Sequence, residues 1–192
     1  MARMSEAEDW GPDEEAALRA AWAVEPPRLD GPVTLADYDP GWPALFEREA
    51  ARLRGLLGPE ILLLEHVGST SVPGLAAKPV IDILLVVADP ADESRYVAPL
   101  EQAGYRLVIR EPGWYQHRLL KGPDTDINLH VHPPDSPEIG RHLRFRDHLR
   151  ADEADRELYQ RAKRELAARH WSYTQQYADA KSGVVEDILR RS

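Results

Sequence analysis

The eight residues Val80 to Val87, VIDILLVV, constrain this chain more than any other stretch. Seven are Val, Ile or Leu, which suits a strand in the interior of a sheet. The eighth is Asp82. An unpaired carboxylate in that setting is expensive, so it requires a cation, a hydrogen-bond donor or a metal ion as partner. The residues before it are a second strand-like run, ILLLEHV (Ile61 to Val67), a Gly-Ser turn at Gly68-Ser69, and the loop GSTSVPGLAAK, which ends in Lys78. Loop and carboxylate are therefore candidates for one site.

The surrounding segments place this pair of strands in a larger sheet. DPGWPALFEREAARLRGLLG predicts a helix, with Asp39 as N-cap, Pro40 at the first helical position and Gly58 at the end. Leu45, Ala50, Leu53 and Leu57 recur there at helical spacing. Asp89-Pro90 opens a further helix through Ala103, closed by Gly104. Three strands follow: YRLVIR, YQHRLLK and DINLHVH. The last alternates, with Asp126, Asn128, His130 and His132 on one face and Ile127, Leu129 and Val131 on the other.

Helices are expected near residues 137–150, 153–169 and 173–191. Asp152 caps the second, and Ser172 and Gln175 of SYTQ form a capping box for the third. The fold class is α+β: a mixed β-sheet flanked by helices, with a helical C-terminal third. Residues 1–32 read as an acidic N-terminal extension, either a short helix over Asp13 to Ala23 that Pro26-Pro27 ends or a mobile tail. Residues 33–192 form the main domain.

Charge and composition narrow the partners. A net charge of −9 argues against a general binder of nucleic acid or anionic membrane, which would need a basic excess. Eight acids and three bases fall in residues 1–32, so much of the excess lies outside the main domain and a local anion site remains open. There is no cysteine, which excludes disulfides, thiolate zinc sites and cysteine nucleophiles. No apolar run approaches the roughly 18 residues of a membrane span, and the N-terminus has no hydrophobic signal core, so a cytoplasmic location is expected. Nothing in the sequence sets an oligomeric state.

The Gly-Ser loop is not a P-loop. Five residues separate Gly68 from Gly74, and Leu75 follows where that motif requires lysine. A Gly-Ser turn after one strand, with an aspartate 13 residues after Ser69 in the next, instead resembles the nucleotidyltransferase fold. More narrowly, HVGSTSVPGLAAKPVIDILLVV resembles the signature of the GrpB family, assigned to that superfamily. YDPGWPALFEREAARL, NLHVH, LRFRDHLRAD, YQRAKRELA and YTQQYADAK agree, so the resemblance covers roughly residues 33–185.

The resemblance implies a mixed sheet whose Gly-Ser turn, here Gly68, Ser69 and Thr70, holds nucleotide phosphates, and whose strand carboxylates hold Mg²⁺. The superfamily pattern has two carboxylates one residue apart on the strand. Here Leu84 stands where the second belongs, which leaves Asp82 with Asp126, Glu65 or the Asn128/His130 face to complete a metal site.

The expected site therefore comprises Asp82 and His130 as catalytic groups and Asp82 and Asp126 as metal ligands. Gly68, Ser69, Thr70, Lys78, Asn128, Arg144 and Lys181 are expected on substrate or phosphate. His130 and His132 could instead bind a transition metal or act as acid and base near neutral pH. His66 is expected to hold the Gly-Ser turn through a backbone hydrogen bond. Arg141, Arg144 and His148 form one helical stripe; for Arg141, His148 and Lys163, surface ion pairs are the expectation.

The implied activity is transfer of a nucleotidyl group from an NTP to a small molecule, dependent on Mg²⁺, including carboxylate adenylation that leads to an amide or ester. The alternative is a non-catalytic domain that binds a nucleotide or coenzyme A and regulates a partner; family members occur fused to dephospho-coenzyme A kinase. A third reading is a hydrolase or transferase that uses the histidine face without a nucleotide.

Overall fold

The computed structural model describes residues 10–192. In chain order the elements are α1 (Pro12–Ala21), β1 (Arg28–Gly31), α2 (Trp42–Leu57), β2 (Leu63–Val67), β3 (Ile81–Val86) and α3 (Val97–Gln102). Then come β4 (Arg106–Glu111), β5 (His117–Lys121), β6 (Ile127–His132), α4 (Pro137–Ala151), α5 (Glu153–Ala167), β7 (Trp171–Tyr173), α6 (Thr174–Asp179) and α7 (Ser182–Leu189). The five-stranded sheet has the order β2-β3-β6-β5-β4, parallel only between β3 and β6. This is the expected α+β class.

The two faces of the sheet differ in chemistry, and that difference positions the site. One face carries Ile81, Ile83, Leu85, Leu129, Val131 and Leu120 into the main core, beneath α2 and α3. Helix α2 meets it with Trp42, Phe46, Ala50, Leu53 and Leu57, a stripe three to four residues apart. Truncating a fully buried leucine such as Leu53 to alanine would cost about 2–5 kcal/mol. The opposite face, alternate along each strand, carries Asp82, Asn128, Lys121 and the histidines of β5 and β6. Helices α4, α5 and α7 pack beyond it in a second cluster of Val72, Leu75, Leu149, Tyr159 and Ile188.

Three local expectations are corrected. Asp39 does not cap α2: its carboxylate accepts from Gly41 N–H at 2.7 Å in the turn before the helix, and Gly41 occupies the cap. The helix expected over 89–103 is a single 3-10 turn, Glu93–Arg95, followed by the short α3. The last helix is broken into α6 and α7 at Ala180-Lys181, and its entry is held by Gln176, not Gln175. The Gln176 side-chain oxygen accepts from Ser172 and Tyr173 N–H at 2.9 and 3.0 Å. Asp152 caps α5 as expected, accepting from Asp155 N–H at 2.8 Å.

The N-terminal segment packs on the domain from Trp10 onward. Trp10 stacks on Tyr173, Trp22 bridges to Ile109 on the outer strand β4, and β1 pairs with β7. The first nine residues of the acidic extension lie outside the described residues. Among the described residues no helix is long and apolar enough to cross a membrane.

Candidate active site

Asp82 sits on β3 directly opposite Asn128 of the parallel β6, while Leu84 is opposite His130. The Asn128 amide donates to Asp82 Oδ1 at 2.8 Å, and His130 Nε2 lies 3.8 Å from the same oxygen. On the other side stands Gly68, with φ of 68°, its backbone against the Asp82 carboxylate. Burial pushes the Asp82 carboxyl up, but His130, Asn128 and Lys181 outweigh it and hold the group below its usual range. Asp82 therefore stays ionised at neutral pH with 28% of its side chain exposed.

Three lysines, Lys78, Lys163 and Lys181, act on this one carboxylate, and Lys121 stands one hydrogen bond away through Asn128. Lys163 of α5 is 2% exposed and donates to Ser69 Oγ at 3.0 Å and to the Ala76 carbonyl. Burial first, then the charge of Lys181, push its ammonium down to about 7, against the pull of Asp82. Lys181, at the α6–α7 break, lies 4.6 Å over the Tyr177 ring; burial lowers it too, while Asp82 and Asp179 raise it. Lys78 is half-buried and lowered by burial, and it feels Asp126, Lys121, Lys181 and Asp82. Lys121, at the end of β5, donates to Asn128 Oδ1 at 2.8 Å and to Asp126 at 2.7 Å.

The expected residues divide accordingly. Asp82, Asn128, His130, Gly68, Ser69, Lys78 and Lys181 come together. Asp126 does not join Asp82: Lys121 holds it beyond Asn128, with 56% of its side chain exposed. Glu65 is paired with Arg146 at 2.7 Å, and Leu84 is fully buried. Thr70 corrects the reading of its hydroxyl as a phosphate contact. It is 1% exposed, donates to the Val80 carbonyl at 3.0 Å and lies 3.1 Å from His66 Nε2. His66 thus holds the turn through a side chain, stacked on Phe46.

Arg144 is also corrected: it is exposed and turns back to the Gly140 carbonyl of its own helix. Arg146 and Arg150 face the loop instead, reaching the carbonyls of His66 and Ser71. Lys163, expected on the surface, is the most buried cation of the site. His117 and His142 were missed as well. With His130 and His132 they bring four of the seven histidines into one cluster, ring centroids 4.8–6.3 Å apart. Burial, and then the neighbouring imidazoles, push His132 down to about 3, and burial chiefly pushes His142 down to about 4.

For a metal ion the donors near Asp82 are few. Among the described residues, the one set of three imidazole and carboxylate groups close enough to share an ion is His148, Asp152 and Asp155. There Asp155 is bound to Arg191 and His148, and Asp152 caps a helix. A single carboxylate at Asp82 suits one Mg²⁺ ion, for which Asp82 would be the protein ligand. It does not suit a two-ion cluster, because Lys121 and Arg146 occupy the carboxylates that a second ion would need.

Comparison with known proteins agrees with this architecture. The family model described as GrpB protein matches residues 32–191. UPF0157 protein BH1888 of Halalkalibacterium halodurans is 61% identical over 160 residues, covering 83% of this chain and 82% of that one. The crystal structure of the conserved protein GrpB from Enterococcus faecalis superposes with a TM-score of 0.71 at 32% identity, covering 82% of this chain and 98% of that one. A dephospho-CoA kinase of Mycolicibacterium paratuberculosis is 31% identical over 187 residues, which span 84% of this chain but 46% of the kinase.

Proposed function

This chain belongs to the GrpB family, and from that premise we propose that it is a cytoplasmic nucleotidyltransferase acting on a small-molecule acceptor. The observation that carries the reading is the gathering of Lys78, Lys163 and Lys181 about Asp82, with Lys121 one hydrogen bond away through Asn128, in a chain whose net charge is −9. A pocket with that excess of ammonium groups is suited to a polyanion, and a triphosphate has the charge to match it.

Ser69, fixed by Lys163, and the Gly68 backbone would meet the β- and γ-phosphates, with Lys78 and Lys181 neutralising the charge that develops on leaving pyrophosphate. Asp82 would hold a Mg²⁺ ion, which would supply further neutralisation of the phosphate charge. Asn128 fixes the Asp82 rotamer. For a hydroxyl acceptor, His130 Nε2 takes the proton as the acceptor oxygen bonds to the α-phosphorus, and pyrophosphate departs with the electron pair of the broken P–O bond. A carboxylate acceptor is already ionised and would give an acyl nucleotide, open to amide or ester formation, without that base.

One observation favours a second reading, a domain that binds a nucleotide or coenzyme A without turnover: Leu84 stands where a second strand carboxylate would be and Lys121 ties up Asp126, so Asp82 is the one carboxylate that β3 and β6 bring to the site. The likeness to part of a dephospho-CoA kinase is compatible with it. The test is release of pyrophosphate from each of the four NTPs, with Mg²⁺, in the presence of pooled hydroxyl, amine and carboxylate compounds. Release with one NTP, abolished by Asp82→Ala, supports the enzyme; binding without release supports the second reading.

A further inference from the structure

A line of short contacts leads from the Asp82 pocket to the edge of the sheet. Glu111 ends β4 and His117 begins β5, opposite one another in the ladder across the hairpin. Glu111 Oε2 is 2.7 Å from His117 Nδ1, and His117 Nε2 is 3.1 Å from His130 Nδ1. His130 Nε2 then faces Asp82. Each of these contacts aligns polar atoms.

From this geometry we infer that Glu111 and His117 fix the tautomer of His130, so that the proton sits on Nδ1 and the Nε2 lone pair points into the Asp82 pocket. The inference rests on the reading of His130 as the group that accepts a proton during transfer. It assigns Glu111 and His117 as positioning residues for that group.

The assignment follows from what each atom can do. An ionised carboxylate only accepts hydrogen bonds, so at 2.7 Å the His117 Nδ1 carries a hydrogen. His117 is 4% exposed, and burial holds it below its ordinary value despite the pull of Glu111, so its ring carries one proton near neutral pH. Its Nε2 therefore presents a lone pair. Two lone pairs do not approach to 3.1 Å favourably, so His130 Nδ1 must donate.

The other end of the ring is consistent with this. At 3.8 Å the separation of His130 Nε2 and Asp82 Oδ1 is too long for a hydrogen bond, and that oxygen already accepts from Asn128. The surroundings keep the pair of rings in place. Trp114 packs its ring edge-on to His117 at 5.2 Å, His132 stacks on His117 at 4.8 Å, and His142 flanks His130 at 5.8 Å.

The test is a long-range proton–nitrogen correlation of the histidine rings in the full-length, ¹⁵N-labelled protein at neutral pH. The inference predicts His130 with Nδ1 protonated and Nε2 bare, the reverse of the tautomer that a free histidine favours in water. In Glu111→Ala, a change at a partly exposed carboxylate, His130 should move toward the Nε2–H form; His117→Phe, which retains a ring, should do the same. Protonated Nε2 on neutral His130 in the wild type, or a His130 spectrum indifferent to Glu111→Ala, would overturn it. The spectrum is independent of turnover. An enzyme that transfers nucleotides but shows the other tautomer defeats this inference alone, and the expected tautomer in a protein without transfer activity defeats only the proposed reaction.

Discussion

A methyl group on Gly68 would stand 2.3 Å from Asp82 Oδ2 and 2.9 Å from its Cβ and Cγ. The turn and the carboxylate are thus in direct backbone-to-side-chain contact, and Gly68 also holds a left-handed φ of 68°. Gly68→Ala should destabilise the fold by about 2–4 kcal/mol, combining roughly 1–2 for the backbone and the rest for overlap. Asp82→Ala in the same chain removes the overlaps with Oδ2 and Cγ and leaves that with Cβ, so the double variant should recover part of the loss. Urea midpoints of the four proteins measure this. Strict additivity would mean that the turn and the strand do not meet as described.

Lys163 predicts how anion binding varies with pH. Its ammonium is pushed down to about 7 by burial and by Lys181, so above that pH the free protein holds a neutral amine. Binding a polyphosphate then has to bring a proton with it. Affinity for inorganic triphosphate should therefore fall as pH rises above 7, by up to about tenfold per unit for one proton taken up. Lys163→Met should bind more weakly at pH 6.5 and lose most of this dependence. Calorimetry of both proteins from pH 6.5 to 8.5 checks it, with the variant subtracting the titration of the triphosphate itself.

Acid stability should depart from that of a protein limited by its carboxylates. Burial depresses His66 and His142 to about 4 and His132 to about 3, so all three fold as neutral rings. The unfolded chain binds protons at its histidines near pH 6.5 while the folded chain refuses them. Stability is therefore present above about 6.5 and is lost as pH falls toward 4, by at most about 1.4 kcal/mol per unit for each ring. Urea denaturation at pH 7, 6 and 5 should show this decline, with a shallower slope in His66→Gln. A flat profile between pH 7 and 5 would contradict the burial of these rings.

Much of this architecture was legible in the sequence, for specific reasons. The run VIDILLVV and the alternation of DINLHVH identified β3, β6 and the shared face of Asn128 and His130, because strand periodicity fixes which residues point together. The proximity of Asp82 to Gly68 was suggested by the Gly-Ser turn next to an expensive carboxylate. What was not legible depended on how helices face the sheet. Helix α4 has few apolar residues, and the stripe drawn through Arg141, Arg144 and His148 chose a side that reaches α7 and α5 through Glu186 and Asp155, not the Gly-Ser loop. Phe145 and Leu149, four apart and packed in the second core cluster, mark the inward side, with Arg146 beside them.

Lys163 was assigned to the surface for the same reason. Only tertiary packing shows that its stretch of α5 meets the Ser69 loop and not water. His117 and His142 belong to β5 and α4, distant in sequence from His130, and no spacing rule links them. His117 had one available signal: YQHRLLK, read as a strand paired next to DINLHVH, puts its histidine on an adjoining row.

The measurement closest to the central claim is calorimetric titration of ATP, GTP, CTP and UTP, with and without Mg²⁺, into the wild type and Asp82→Ala. The account predicts that at least one NTP binds, that Mg²⁺ strengthens binding in the wild type, and that Asp82→Ala abolishes the Mg²⁺ effect while leaving residual affinity from the lysines. Binding that is indifferent to both Mg²⁺ and Asp82, or no binding by any of the four, would contradict it.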